Sequence, residues 1–150
     1  MARAIELALA NVRSGRGGPF AAIVVKDGRI AAEGVNLVAS SNDPTAHAEV
    51  IAIRAACHAL GSFQLGGCEI YTTCEPCPMC LGAIYWARLD RVYYGCCAQD
   101  AAAAGFDDAF IYRQLALDPA LRKPPFVPLM REEALACFRA WREKPDRINY

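Results

Sequence analysis

Apolar and polar positions alternate along the chain first at a helical period and then at a strand period. Ile5, Leu9 and Val12 recur at helical spacing, which predicts a helix closed by Gly15, Gly17 and Gly18. Residues 20–26 form a β-rich run; Asp27-Gly28 is a two-residue hairpin turn, and 29–34 return as the second strand. The stretch 36–42 is polar and irregular. Asp43-Pro44-Thr45 predicts a helix start, with Asp43 or Thr45 as cap and Pro44 in the first turn. That helix runs through Val50, Ile51, Ile53 and Arg54 to Leu60, where Gly61 stops it. A short strand follows at 69–72, a helix from Pro78 to Ala87 and a strand at 91–95. The last third predicts a helix over 107–115, a strand at 126–129, a helix over 131–141 and a polar tail at 143–150.

Two consecutive strand-then-helix units in mid-chain indicate an α/β fold, a three-layer α/β/α sandwich with a mixed central sheet. No repeat, low-complexity tract or linker interrupts the 150 residues, so one domain is expected over 1–150. Hydrophobic residues make up 55% of the chain and mean hydropathy is +0.15. That apolar excess predicts a subunit interface, hence a homodimer. Sixteen basic and sixteen acidic residues give zero net charge. A nucleic-acid binder usually carries a basic excess, so a small, weakly charged substrate is expected and no nucleic acid. The N-terminus lacks the layout of a secretory signal, and no stretch approaches the roughly 18 apolar residues of a membrane span. No membrane association is therefore expected. The eight cysteines then read as metal ligands or thiols in a cytoplasmic protein rather than as disulfides.

The chemistry concentrates in His47-Ala48-Glu49 and Pro76-Cys77-Pro78-Met79-Cys80. One histidine and two cysteines suit zinc, and three protein ligands leave a fourth position for water. Cys77 and Cys80 are three apart and share a face of a helical turn. His47 and Glu49 are two apart and reach one point only if it lies beyond a helix N-terminus. The metal is therefore expected between two helix starts, whose positive ends favour thiolates. Cys-x-x-Cys alone also fits a redox pair or a structural knuckle. Combined with His-x-Glu it is the signature of zinc deaminases acting on nucleobases, with Glu49 as the proton shuttle. A non-catalytic zinc module would have no use for that acid. Cys57, Cys68, Cys96, Cys97 and Cys137 have no partner pattern and read as buried thiols. Taken singly, Asn36 also reads as a turn residue, Asp107 or Asp108 as a helix cap, Phe20, Trp86 and Trp141 as core, and Tyr150 as a chain end.

Thr45-Ala46-His47-Ala48-Glu49 and the run from Thr73 to Ala83 resemble the cytidine-deaminase superfamily. The stretches 83–88 and 105–112, with Tyr150 closing the tail, resemble more closely its bacterial guanine deaminases. The resemblance implies His47, Cys77 and Cys80 as zinc ligands, with Glu49 and Asp108 catalytic. It further implies a substrate-binding set of Phe20, Asn36, Ala48, Asp108 and Tyr150, the last reaching a partner subunit by a swapped tail. The implied reaction is guanine and water to xanthine and ammonia. The alternatives are a tRNA adenosine deaminase, disfavoured by the neutral charge, and a small-pyrimidine deaminase, disfavoured by the guanine-deaminase-like stretches. The nearest basic cluster, Arg139, Arg142, Lys144 and Arg147, is diluted by Glu143 and Asp146.

Overall fold

The computed structural model describes residues 1–149, and its contacts divide the chain into two compact units, Met1–Asp108 and Ala109–Tyr150. The first unit holds the sheet. Helix α1 (Ala2–Arg13) leads into β1 (Ala21–Lys26) and β2 (Arg29–Val35), joined by Asp27 and Gly28 at positive φ, as a tight hairpin requires. A four-residue helical turn, α2 (Val38–Ser41), precedes α3 (Ala48–Leu60). Then come β3 (Cys68–Cys74), α4 (Pro78–Ala87), β4 (Arg91–Cys96) and α5 (Ala98–Ala103). The strand order is β2-β1-β3-β4, antiparallel except for β3–β4. The sheet is thus mixed, and α4 is the crossover between its parallel strands.

One sheet face carries Ala22, Val24, Cys68 and Ile70, packed on Ala48, Ala52, Ile53 and Ala56 of α3 and Ile84 and Ala87 of α4. Ala48, Ala52 and Ala56 stand four apart and are fully buried, a row of small side chains that lets the helix lie close to the sheet. Gly34 of β2 sits opposite, where an added Cβ would come within 2.3 Å of the Ala48 carbonyl oxygen and 2.6 Å of the Ala52 nitrogen. Helix α1 packs on β1 and β3 with Ala4, Ala8 and Asn11 buried, and the three-layer reading holds.

Several expectations change. Ile5, Leu9 and Val12, which predict α1, are about half exposed, and the face α1 buries is the smaller-residue one. Asp43 and Thr45 cap no helix: Asp43 Oδ1 accepts from the Thr45 N–H (2.8 Å) and hydroxyl (2.7 Å), a local turn, and α3 starts only after His47. Helix α2 falls in the stretch read as irregular, and α5 in one for which no element is predicted.

The second unit contains α6 (Ala109–Leu115), a 3-10 turn at Pro119–Leu121 and α7 (Arg131–Glu143). Residues 126–129 form no strand. Pro128 lies within that run and Pro124-Pro125 precede it, so three backbone donors are missing over 124–128. Trp86 and Trp141 are exposed rather than core, and among the five cysteines read as buried only Cys68 is so; Cys96 and Cys137 are exposed.

Candidate metal centre and active site

His47 and Cys77 are each the last extended residue before a helix, with φ/ψ of −72°/151° ahead of α3 and −64°/168° ahead of α4. Pro78 occupies the first turn of α4, where its fixed φ suits the helix and its missing N–H costs nothing. Cys80, one turn on, returns its sulfur to the side of Cys77. Both sulfurs stand 3.5 Å from His47 Nδ1, and all three ligand atoms lie within 4.8 Å of one another. A tetrahedral ion bound at about 2.3 Å to sulfur and about 2.0 Å to nitrogen separates N from S by roughly 3.5 Å. The observed spacing therefore fits zinc, as does the mixed donor set.

The electrostatics prepare the same site. The hydrogen bond from Cys80, with a further one to His47, holds the Cys77 thiol well below its usual range. Contact with Cys77 in turn raises His47. A bound cation would take both sulfurs as thiolates. Cys74, three residues before Cys77, is instead pushed up to about 11 by burial and stays a thiol.

Glu49 follows in the first turn of α3 and is buried, its Oε2 accepting from Cys80 Sγ at 3.4 Å. Burial is the main cause raising its carboxyl. Ala48 is fully buried beside it. Phe20 and Asn36 are brought together: the Asn36 N–H donates to the Phe20 carbonyl (3.0 Å), and Phe20 meets Phe106 edge-to-face at 4.9 Å. Asn36 is buried, and its Oδ1 accepts from the Val38 N–H at 3.3 Å. Partial burial raises the Asp108 carboxyl, and Cys77 adds to the shift. Tyr150 lies outside the described residues.

Two supporting residues escape a reading by motif. Asn11 of α1 donates through Nδ2 to the carbonyls of Asn36 (2.8 Å) and Gly18 (3.0 Å), stitching together the segments that carry Asn36 and Phe20. Its only sequence signal is a polar residue seven and three places along from Ala4 and Ala8, the alanines of a buried face. Thr72 of β3 stands 3.3 Å from Glu49 Oε1.

The cytidine and deoxycytidylate deaminase zinc-binding region matches residues 1–96, which contain both motifs. The chain belongs to this deaminase family. Zinc is the family's metal, and His47, Cys77 and Cys80 are positioned to hold it. Guanine deaminase of Bacillus subtilis is 55% identical over 148 residues, covering 99% of this chain and 95% of that protein. The X-ray structure of guanine deaminase from Bacillus subtilis is similar to the deaminase chain with a TM-score of 0.97 at 54% identity, covering 99% of this chain and 95% of that one. The guanine deaminase of Nitrosomonas europaea is similar with a TM-score of 0.67 at 34% identity, covering 71% of this chain and 62% of that one. A tRNA-specific adenosine deaminase of Agrobacterium fabrum is 48% identical over 99 residues, 64% of each chain.

Proposed function

We infer that this chain hydrolyses guanine: water adds at C2, the exocyclic amine leaves as ammonia, and xanthine remains. One observation carries the substrate. Likeness to a guanine deaminase extends over 99% of the chain, whereas likeness to a tRNA deaminase extends over 64% of it. What the family shares is the zinc frame; what distinguishes this chain's substrate lies in the rest.

His47, Cys77 and Cys80 would hold the zinc, which when bound would supply Lewis-acid activation of water near neutral pH. Glu49, with Oε2 facing the Cys80 sulfur, takes the proton of the attacking water and hands it to the departing amine. Its burial keeps bulk water away from that proton. Asn36 donates its amide hydrogens to an acceptor on the base, Ala48 and Phe20 line the pocket, and Asp108 reads N–H donors of guanine and assists the leaving amine. An amide and a carboxylate reading one edge discriminate strongly, because a wrong base leaves them unpaired.

The enzyme works as a cytoplasmic homodimer on a small free base. In support, Tyr85 and Trp86 of α4 are 69% and 66% exposed, and the Ile5, Leu9, Val12 stripe is also open. No described helix is long and apolar enough to cross a membrane.

The test is a substrate panel on the zinc-loaded protein, with guanine, guanosine, adenine, cytosine and cytidine assayed for ammonia and deaminated product. Xanthine from guanine alone is expected. Product from another base, with guanine untouched, would overturn the substrate assignment.

A further inference from the structure

We propose that Thr72 is a positioning residue for the reaction: its hydroxyl anchors Oε1 of Glu49, so that Oε2 is the oxygen presented to the reacting water. The inference rests on the reading of Glu49 as the proton shuttle.

Thr72 lies on β3, one of the two strands paired on both sides, between Ala22 of β1 and Tyr94 of β4. Its side chain belongs to the row Cys68, Ile70, Thr72 and Cys74, which alternates inward along the strand and is buried throughout. Three of the four are apolar or weakly polar, and a valine would fill the Thr72 position with the same shape. The hydroxyl is the surplus feature there. Buried at 1% exposure, it is tolerated only where hydrogen bonds offset its loss of water.

Its partners are both at the active site. One is the Cys74 carbonyl at 2.9 Å, at the end of the strand that leads through Glu75 and Pro76 to Cys77. The other is Glu49 Oε1 at 3.3 Å, and the one hydroxyl proton is shared between these two acceptors in a three-centre bond. The Glu49 carboxylate turns freely about its terminal torsion unless something fixes one oxygen. Fixing Oε1 at Thr72 directs Oε2 toward the Cys80 sulfur, 3.4 Å away. The same hydroxyl ties the strand end that delivers Cys77 to the helix that delivers Glu49. Shuttle and ligand loop are thereby held in one register. Thr72 acts through Glu49 and not on the base itself, so its effect falls on turnover rather than on binding.

The experiment compares wild type, Thr72→Val and Thr72→Ser for kcat and KM on guanine, zinc per chain, thermal unfolding and the crystal structure of the valine variant. Thr72→Val is expected to keep its zinc and to lower kcat roughly ten- to hundredfold, the scale of a lost hydrogen bond to a charged group. KM should stay within about twofold, and the Glu49 carboxylate should turn away from its wild-type orientation. Thr72→Ser should recover most of the loss. An active wild type whose Thr72→Val variant keeps its kcat overturns the positioning role alone. So does a serine variant as impaired as the valine one, or a loss of kcat that only follows loss of zinc. A wild type inert on guanine overturns the functional reading itself, and this inference with it.

Discussion

Replacing Gly34 by alanine tests the claim that the active-site helix is placed by a backbone-to-backbone contact. The added Cβ would lie 2.3 Å from the Ala48 carbonyl oxygen and 2.6 Å from the Ala52 nitrogen, where ordinary contact begins near 3.4 Å. Both obstacles are main chain, so no side-chain rotation relieves them, and α3 must withdraw by about 1 Å at its first turn. Overpacking of this kind costs roughly 1–3 kcal/mol, which in a chain of this length lowers Tm by roughly 3–10 °C. Catalysis should suffer more than stability. Ala48 lies between His47 and Glu49, and a displacement of about 1 Å at a catalytic group costs on the order of a hundredfold in rate. Gly66→Ala is the control: its Cβ meets nothing within 4 Å in the exposed turn before β3, and the substitution should raise stability by about 0.5 kcal/mol. The assays are thermal unfolding, zinc per chain and kcat on guanine. A Gly34→Ala variant that melts and turns over like wild type would refute the account of how α3 is set on the sheet.

Glu49→Gln should bind zinc normally yet lose roughly a hundred- to ten-thousandfold in kcat, seen by pairing metal analysis with steady-state kinetics. Chelation at His47, Cys77 and Cys80 should abolish turnover and lower Tm, with both restored by added zinc; turnover that persists in metal-free protein would contradict the assignment. Gly17→Ala places a Cβ 2.0 Å from the Asn36 carbonyl oxygen. It should raise KM for guanine several-fold while kcat changes less, because the displaced residue reads the base and does not move the proton.

The chemistry was legible before the fold was. Histidine, glutamate and two cysteines at those spacings admit few arrangements, and the requirement that residues two apart reach one point already located the site beyond a helix start. The hairpin was legible because Asp27-Gly28 is a turn with a mechanism. Helix α5 was missed although it carried a signal: Cys97 and Asp100 form a capping box, the cysteine standing where serine or threonine is usual, with Asp100 Oδ2 accepting from both the Cys97 N–H (2.9 Å) and Sγ (3.1 Å). The contacts of Asn11 and Thr72 were illegible for a different reason. Each is a single polar residue on an apolar face, and its partner is chosen by tertiary packing 25 or 23 residues away in the chain. Burial of α1 was misjudged because the stripe of largest residues was followed; sheet packing selected the smallest ones.

The geometry of the site is a property of helix beginnings rather than of helices. In mid-helix, residues two apart point in opposed directions, so His47 and Glu49 could not serve one metal from there. His47 escapes the constraint because its backbone is still extended, while Glu49 is already in the first turn of α3. Cys77 and Cys80 repeat the device at α4, one ligand before the helix and one within it. Two such starts converge only if each helix is fixed along its own axis. For α3 that is done by Gly34 and the alanine row, and for α4 by the crossover between β3 and β4. Thr72, on β3 and against Glu49, joins the two constraints. Substitutions that shift a helix start should therefore damage this enzyme more than larger changes made a turn further on.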